Sequence, residues 1–225
     1  AGGHYMAISG KLREELGRRG IIAVLEIEDE KDAVPAAKAL VSGGVTAIEL
    51  ALRTPAAMPS IALIAKEVPE MMIGIGTIIR TEQVAAVKEA GAHFGVAPGF
   101  NPRIVAEADR LGFPFAPGIS TASELEGAVE MGNSVLKLFP AEPLGGLKYL
   151  KSMAGPYAYL GLGFIPLGGI TPENLAEWAS FDSICAIGGT WIAKKPLIKA
   201  HDWTAIERNA AEAVKTWKAA RGEDR

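Results

Sequence analysis

The sequence predicts a single α/β domain with the (β/α)8 TIM-barrel fold. Apolar runs of four to six residues alternate with helical segments of ten to fifteen residues along most of the 225-residue chain. Eight such runs within about 200 residues match the strand number of this barrel. The chain shows no composition break, linker or low-complexity segment that would indicate a second domain. The periodicity also fits a doubly wound open sheet, although the count of eight favours the barrel.

Each predicted strand is a short apolar run bounded by glycine, proline or polar residues. The strands are predicted at 21–25, 47–51, 72–76, 94–97, 114–116, 135–139, 164–167 and 183–187. Helices are predicted at 9–19, 30–42, 56–67, 81–90, 102–111, 146–153, 171–180 and 204–220, with another that begins at Thr121. Thr81 is expected to cap its helix and Gly91 to end it, and Thr121-x-x-Glu124 is a capping box.

Polar side chains lie on the inward parity of three predicted strands. Barrel side chains alternate between the interior and the helix layer, and chemistry lies at the carboxyl ends of the strands. Glu49 and Arg53 share the inward parity on the second strand, and Lys137 shares it with Phe139 on the sixth. Thr77 ends the third strand on the same side. An acid, two bases and a hydroxyl are therefore expected to converge at the barrel mouth.

Lys137 lies in the middle of an otherwise apolar run. An ammonium group buried among apolar side chains loses hydration, which favours the neutral amine. Such an amine can attack a ketone and form a Schiff base, with Glu49 moving the protons. Two structural alternatives stay open: a lysine whose head group reaches water from the strand end, and a buried ion pair with Glu49 that has no chemical role.

Two glycine clusters follow the last two predicted strands. Gly168 and Gly169 come after the seventh strand, and Gly188, Gly189 and Thr190 come after the eighth. Small residues there let backbone N–H groups surround a phosphate, which is the usual phosphate position in this fold. The alternative is ordinary loop glycine. The paired placement favours phosphate binding.

Composition restricts the partners. A formal net charge of -3 gives no reason to expect nucleic acid or a membrane surface, and no apolar stretch reaches transmembrane length. The lone Cys185 fits a reducing cytoplasm. Residues 1–8 are expected to be a disordered expression remnant, with the domain at 9–225. The three histidines are scattered and no carboxylate cluster accompanies them, so no metal and no other cofactor is expected.

Several of these segments together resemble the 2-keto-3-deoxy-6-phosphogluconate (KDPG) / 4-hydroxy-2-oxoglutarate (KHG) aldolase family. The resemblance extends from about Gly20 to Lys218. It is carried by the segments 39–45, 48–54, 74–77, 97–99, 117–121, 136–142, 168–170 and 188–191. Their occurrence in one order is far more specific than any segment alone.

The resemblance implies a class I aldolase that needs no cofactor or metal and assembles as a homotrimer. Its substrate would be a KDPG-like sugar acid phosphate, cleaved to pyruvate and glyceraldehyde 3-phosphate, with 4-hydroxy-2-oxoglutarate as a second substrate. It implies that Lys137 forms the Schiff base and that Glu49 is the general acid and base. The other implied residues are Arg53 and Thr77 for the substrate carboxylate, Pro98, Phe139 and Leu167 for the pocket wall, and Gly168, Gly169, Gly188, Gly189 and Thr190 for the phosphate.

Two positions depart from the family pattern. Leu167 stands where relatives commonly have threonine, and Glu26 stands where relatives often have arginine or an apolar residue. Both departures concern the aldehyde half of the substrate rather than the imine chemistry. The rival hypotheses are a phosphate-binding barrel isomerase or epimerase, and a non-catalytic barrel that binds an acidic metabolite.

Overall fold

The computed structural model describes residues 2–223, in which strands and helices alternate as the periodicity predicts. The strands are β1 Ile21–Leu25, β2 Ala47–Ala51, β3 Met72–Gly76, β4 Phe94–Val96, β5 Phe115–Ala116, β6 Gly118–Ile119, β7 Val135–Leu138, β8 Gly163–Pro166 and β9 Ile187–Gly189. The helices are α1 Gly2–Arg19, α2 Ala33–Ser42, α3 Ala57–Glu67, α4 Thr81–Ala90, α5 Pro102–Leu111, α6 Ala122–Glu130, α7 Gly146–Ala154, α8 Leu175–Ala179, α9 Lys195–Lys199 and α10 Trp203–Arg221. None of the helices in this range is both long and apolar enough to cross a membrane.

The strands form two parallel sheets. One has six strands in the order β5-β4-β3-β2-β1-β9, and the other has three in the order β6-β7-β8. Only Pro117 separates β5 from β6, and Phe164 of β8 forms a parallel bridge with Ile184, just before β9. The protein is therefore an α/β fold whose parallel strands follow one another in a curled arrangement. Parallel strands with helical crossovers are buried on both faces, which explains why most strand residues are inaccessible.

The fifth and eighth predicted strands differ from those observed. The fifth is interrupted at Pro117, which lacks the N–H group that a continuous ladder would use. Its carbonyl oxygen still accepts a hydrogen bond from the Lys137 N–H at 2.9 Å. The eighth strand lies at Ile187–Gly189 rather than 183–187, because pairing with β1 begins only at Ile187. Gly188 and Gly189 are consequently inside the strand and do not follow it.

The amino-terminal segment also differs from the prediction. Residues 2–8 are the first turns of α1 and are not disordered, whereas Ala1 lies outside the described residues. The Tyr5 side chain is completely buried, and Ser9 Oγ accepts a hydrogen bond from the Ser134 N–H at 2.8 Å. Because Ser134 directly precedes β7, α1 packs against the amino ends of the strands, opposite the end where chemistry is expected.

Thr81 is the first residue of α4 and does not cap it; the N-cap position is Arg80. The Gln83 side chain instead accepts hydrogen bonds from the Ile79 and Arg80 N–H groups, at 2.9 and 3.0 Å. The capping box at Thr121 and Glu124 is present as predicted.

Alternate residues of the strands form an inner apolar cluster. Its strand members are Ile22, Ala47, Phe94, Val96, Ala116, Val135 and Ile165, and Leu12 and Leu16 of α1 join them. Ala47 has the parity of Glu49, and Val135 has the parity of Lys137. The alternation therefore directs Glu49 and Lys137 to the same interior as this cluster, one step nearer the carboxyl ends of their strands.

Candidate active site

Lys137 and Glu49 meet inside the fold. The Lys137 Nζ atom lies 3.0 Å from Glu49 Oε1. The two residues are only 4% and 7% exposed, so neither head group reaches bulk water as a snorkelling lysine would. The strands β7 and β2 bring together residues that are 88 positions apart in the sequence. A buried charged pair of this kind needs good geometry and additional partners, because both groups have lost their hydration.

Two glycines beside this pair allow close packing, one against Glu49 and one against the backbone of Pro98. A Cβ atom added at Gly76 would lie 2.6 Å from Glu49 Oε2, so the Glu49 carboxylate occupies space that any other residue at position 76 would fill. Gly118 is the register partner of Lys137 on β6. A Cβ atom there would lie 2.3 Å from the Pro98 carbonyl group, so the segment after β4 packs directly on this strand.

Phe139 forms part of the Lys137 environment. The Lys137 Nζ atom lies 5.4 Å from the centroid of the Phe139 ring, within the range of a cation–π interaction. Phe139 and Pro98 are both partly buried. The Lys137 ammonium group therefore has the Glu49 carboxylate on one side and the Phe139 ring on another.

Arg53 lies at the mouth but is already paired. Its Nη2 atom is 3.2 Å from Glu26 Oε2, and the Arg53 side chain is 58% exposed. Glu26 also accepts from Lys195 Nζ at 2.5 Å. The mouth therefore carries an ion cluster built from the ends of β1 and β2 and the start of α9.

Thr77 directly follows β3, but its predicted inward parity is wrong: Glu49 pairs with Gly74, so Gly74 and Gly76 have the inward parity on β3. Thr77 has a φ angle of 62°. This left-handed conformation is rare for a β-branched residue and costs on the order of 1–3 kcal/mol. Its side chain is partly buried. The strained position at a strand end is typical of a residue that is held for function.

The turn after β8 contains the first glycine pair. Gly168 and Gly169 have φ angles of 104° and 80°, a region that favours glycine. The Gly168 carbonyl oxygen accepts from the Glu142 N–H at 2.9 Å, which ties this turn to the segment after Lys137. Glu142 Oε1 accepts from Trp178 Nε1 at 2.7 Å, which holds α8 against the same segment.

Leu167 and the second glycine pair lie against each other. The Leu167 side chain is buried, and a Cβ atom at Gly188 would lie 2.6 Å from Leu167 Cδ1. Gly188 and Gly189 pair with Ile22 and Ala23 of β1. Thr190, the first residue after β9, is exposed.

The sequence did not single out Gly76, Lys195 or Glu142 individually. Lys195 could have been recognised as a candidate from its position. It begins the helix that follows the last strand, next to Lys194 and Pro196, and residues after strand ends lie at the mouth of this fold. Gly76 lies on the inward side of β3, and no local pattern shows that its missing side chain accommodates Glu49. No local pattern marks the contact of Glu142 with Trp178.

The other cavities and reactive side chains are weaker candidates for an active site. A groove of about 520 Å³ between α8 and α10 contains none of the predicted site residues. Burial raises the pKa of the Cys185 thiol to about 12, which makes it unreactive at neutral pH. Within residues 2–223, no group of three or more histidine, cysteine, aspartate or glutamate side chains is placed to hold a metal ion.

A buried lysine beside a carboxylate in an α/β fold is the arrangement that a Schiff-base-forming enzyme of the aldolase class needs. The family model described as "Aldolase: KDPG and KHG aldolase" matches residues 12–209. The chain therefore belongs to the KDPG and KHG aldolase family.

Named relatives agree with this assignment. The KHG/KDPG aldolase of Escherichia coli (strain K12) is 41% identical over 194 residues, which cover 86% of this chain and 90% of that protein. The KDPG aldolase of Zymomonas mobilis ZM4, solved with 3-phosphoglycerate, is 37% identical with a TM-score of 0.82, covering 89% of this chain and 94% of that one. The Legionella pneumophila KDPG aldolase, with pyruvate captured at low pH as a covalent carbinolamine, is 32% identical with a TM-score of 0.85, covering 93% and 97%.

Proposed function

We propose that this protein is a class I aldolase, a lyase that forms a Schiff base through Lys137. Its proposed substrates are a KDPG-like sugar acid phosphate, cleaved to pyruvate and glyceraldehyde 3-phosphate, and 4-hydroxy-2-oxoglutarate, cleaved to pyruvate and glyoxylate. The observation that carries the proposal is the 3.0 Å contact between the buried Lys137 amine and Glu49. The Legionella relative with a pyruvate carbinolamine supports the same chemistry.

The first half of the mechanism follows from that contact. Transfer of one proton from Lys137 Nζ to Glu49 Oε1 converts the ion pair into a neutral amine and a neutral acid. The amine adds to the C2 carbonyl carbon of the keto acid. Glu49 protonates the resulting C2 oxygen and then takes a proton from the nitrogen, which gives a neutral carbinolamine and a neutral Glu49. Glu49 then protonates the C2 hydroxyl group, water leaves, and a protonated imine forms on Lys137.

The protonated imine is an electron sink for carbon–carbon cleavage. Glu49, now a carboxylate, takes the proton of the C4 hydroxyl group, and the C3–C4 bond breaks with its electron pair flowing to the imine. The aldehyde leaves and an enamine remains. Protonation of the enamine at C3 and hydrolysis of the resulting imine release pyruvate and restore Lys137.

The proposed binding residues surround this centre. Arg53 and Thr77 hold the carboxylate of the pyruvate half, and Pro98, Phe139 and Leu167 form the pocket wall. The exposed guanidinium of Arg53 and the strained backbone of Thr77 support the first role. The cation–π distance to Phe139 supports the second.

The proposed phosphate site lies between the last two strands. It consists of Gly168, Gly169, Gly188, Gly189 and Thr190. The left-handed Gly168–Gly169 turn supports it, because successive N–H groups in such a turn can point toward one anion. The exposed Thr190 hydroxyl group supports it as a further donor.

We also propose a closed eight-stranded barrel and a homotrimer acting in the cytoplasm, in the Entner–Doudoroff breakdown of sugar acids. The short break at Pro117 and the bridge between Phe164 and Ile184 support closure, because they connect the two sheets at both seams. The trimer and the cytoplasmic location follow from the family resemblance and from a lone buried cysteine.

Borohydride trapping tests the imine directly. The protein is incubated with carbon-labelled pyruvate, reduced, digested and analysed by peptide mass mapping. We expect the label on Lys137 and on no other lysine, and no label in the Lys137→Gln variant. An unlabelled Lys137 in folded protein would refute the proposal and would favour an isomerase or a non-catalytic binding protein.

A further inference from the structure

Glu26 occupies an inward position at the mouth of the proposed site. It directly follows β1, and it shares the parity of Ile22, a member of the inner apolar cluster, and of Val24, the register partner of Glu49. Its side chain is only 17% exposed. Alternation along β1 therefore directs this carboxylate toward the interior that also contains Glu49 and Lys137.

The Glu26 carboxylate holds two cations at once. Oε2 lies 3.2 Å from Arg53 Nη2, and Oε1 lies 2.5 Å from Lys195 Nζ. The two cationic side chains are 58% and 45% exposed, so the carboxylate is the most enclosed of the three groups. By accepting this hydrogen bond, Glu26 raises the pKa of Lys195, and the lysine stays charged at neutral pH.

We infer that Glu26 determines the charge specificity of this mouth: its carboxylate disfavours substrates whose aldehyde half carries a second anionic group. The inference rests on the proposed aldolase function and deepens it. Without Glu26, the charges of Arg53 and Lys195 would be unneutralised, and their field would attract a phosphate on the aldehyde half while Arg53 binds the carboxylate of the pyruvate half. With Glu26 between them, the uncharged hydroxyl groups of a non-phosphorylated sugar acid gain a hydrogen-bond acceptor, and a phosphate meets a negative charge.

The size of the effect follows from Coulomb's law. A unit charge about 6 Å from an ion, at an effective dielectric constant between about 20 and 80, changes its binding by roughly 3- to 100-fold. Because the mouth is open to solvent, the effective dielectric constant is high and the change in binding falls in the lower part of this range. We expect a change of about tenfold, which weakens with added salt because the Debye length falls from about 10 Å at 0.1 M to about 3 Å at 1 M.

A neighbouring glutamate provides a matched control. Glu28 contacts Lys195 at 3.4 Å and Lys199 at 2.7 Å, and its side chain is 41% exposed. Glu28→Gln removes the same charge from the same cluster without freeing Arg53. A purely structural role for Glu26, such as orienting Arg53, would change the kinetics of phosphorylated and non-phosphorylated substrates by the same factor.

The test compares kcat/KM for 2-keto-3-deoxygluconate and its 6-phosphate in the wild type, Glu26→Gln and Glu28→Gln, at low and high salt. We expect Glu26→Gln to raise the ratio of phosphorylated to non-phosphorylated activity about tenfold at low salt, and less at high salt. Glu28→Gln should change the ratio by less than about twofold. An unchanged ratio in Glu26→Gln, or an equal shift in Glu28→Gln, overturns the inference.

Binding of inorganic phosphate, measured by calorimetry, tests the charge effect without turnover. We expect tighter binding to Glu26→Gln than to wild type, and equal affinities overturn the inference even if the protein proves to have no aldolase activity. Pyruvate trapping on Lys137 does not involve the aldehyde half. Normal trapping with an unchanged substrate ratio would therefore refute the role of Glu26 and leave the proposed function standing.

Discussion

Replacing Gly76 by alanine is expected to displace the Glu49 carboxylate while the protein stays folded. The added Cβ atom would lie 2.6 Å from Glu49 Oε2, and real Cβ atoms do not approach other heavy atoms so closely. Gly76 lies in β3 and does not have a positive φ angle, so the backbone accepts alanine. The clashing atoms belong to the end of a side chain, which can rotate away at small cost.

The rotation has a large effect on chemistry. To restore ordinary van der Waals contact, the carboxylate must retreat by about 1 Å, and a misplacement of about 1 Å costs on the order of 10²-fold in rate. The 3.0 Å contact with Lys137 Nζ then lengthens beyond hydrogen-bonding distance. We therefore expect kcat to fall about 100-fold, with a loss of stability of about 1–3 kcal/mol, since no cavity forms but the buried Lys137 ammonium group loses its hydrogen bond with Glu49.

A coupled assay of pyruvate release measures kcat, and thermal unfolding measures stability. Gly155→Ala is the matched control, because no atom lies within 4 Å of a Cβ at that position and its φ and ψ angles, -50° and -49°, suit alanine. Full activity in Gly76→Ala, with the fold intact, would show that the position of Glu49 next to Lys137 is not required. That result would refute the mechanism.

Three further outcomes are expected. Glu49→Gln should lower kcat about 10²- to 10⁴-fold, the usual contribution of a general acid and base, in steady-state assays; normal turnover would exclude Glu49 from proton transfer. His93 Nδ1 accepts the Ile73 N–H at 2.8 Å, and burial lowers the His93 pKa. The unfolded chain then binds the proton more readily, so urea titrations should show stability constant above pH of about 6.5 and decreasing below it, a decrease that should be smaller in His93→Gln. Tyr5→Ala should cost about 3–5 kcal/mol in the same titrations, because a fully buried aromatic side chain is lost; an unchanged midpoint would mean that this part of α1 does not dock.

Local patterns were sufficient for most of the elements. The first three strands have the predicted boundaries, because each is a five-residue, predominantly apolar segment with clear breaks on both sides. The fifth and eighth strands were wrong in extent. Their limits are set by which residues find a ladder partner, and an apolar run such as Ile184–Ile187 does not reveal that pairing begins at its last residue. Residues 2–8 lack a recognisable signal of order, and α1 is extended to Gly2 by the burial of Tyr5 against other parts of the fold.

The active site also has one part that the sequence predicts and one part that it does not. Alternation along a strand depends only on the local chain, so the inward parity of Glu49 and Lys137 could be predicted, and their contact confirms that these two residues meet. The space that accepts Glu49 is created by the missing side chain of Gly76 on the next strand, and no sequence pattern specifies that contact.

The sequence by itself determined the alternation of strands and helices, the family, and the lysine and glutamate on which the proposed chemistry depends. These features follow from periodicities of two and 3.6 residues and from residue types at fixed positions. Only the tertiary structure decided that Glu26 lies between Arg53 and Lys195. Those three charges are distant in the sequence, and they meet because β1, β2 and α9 end at one mouth. The charge that a substrate encounters there is a property of that assembly and of no single segment.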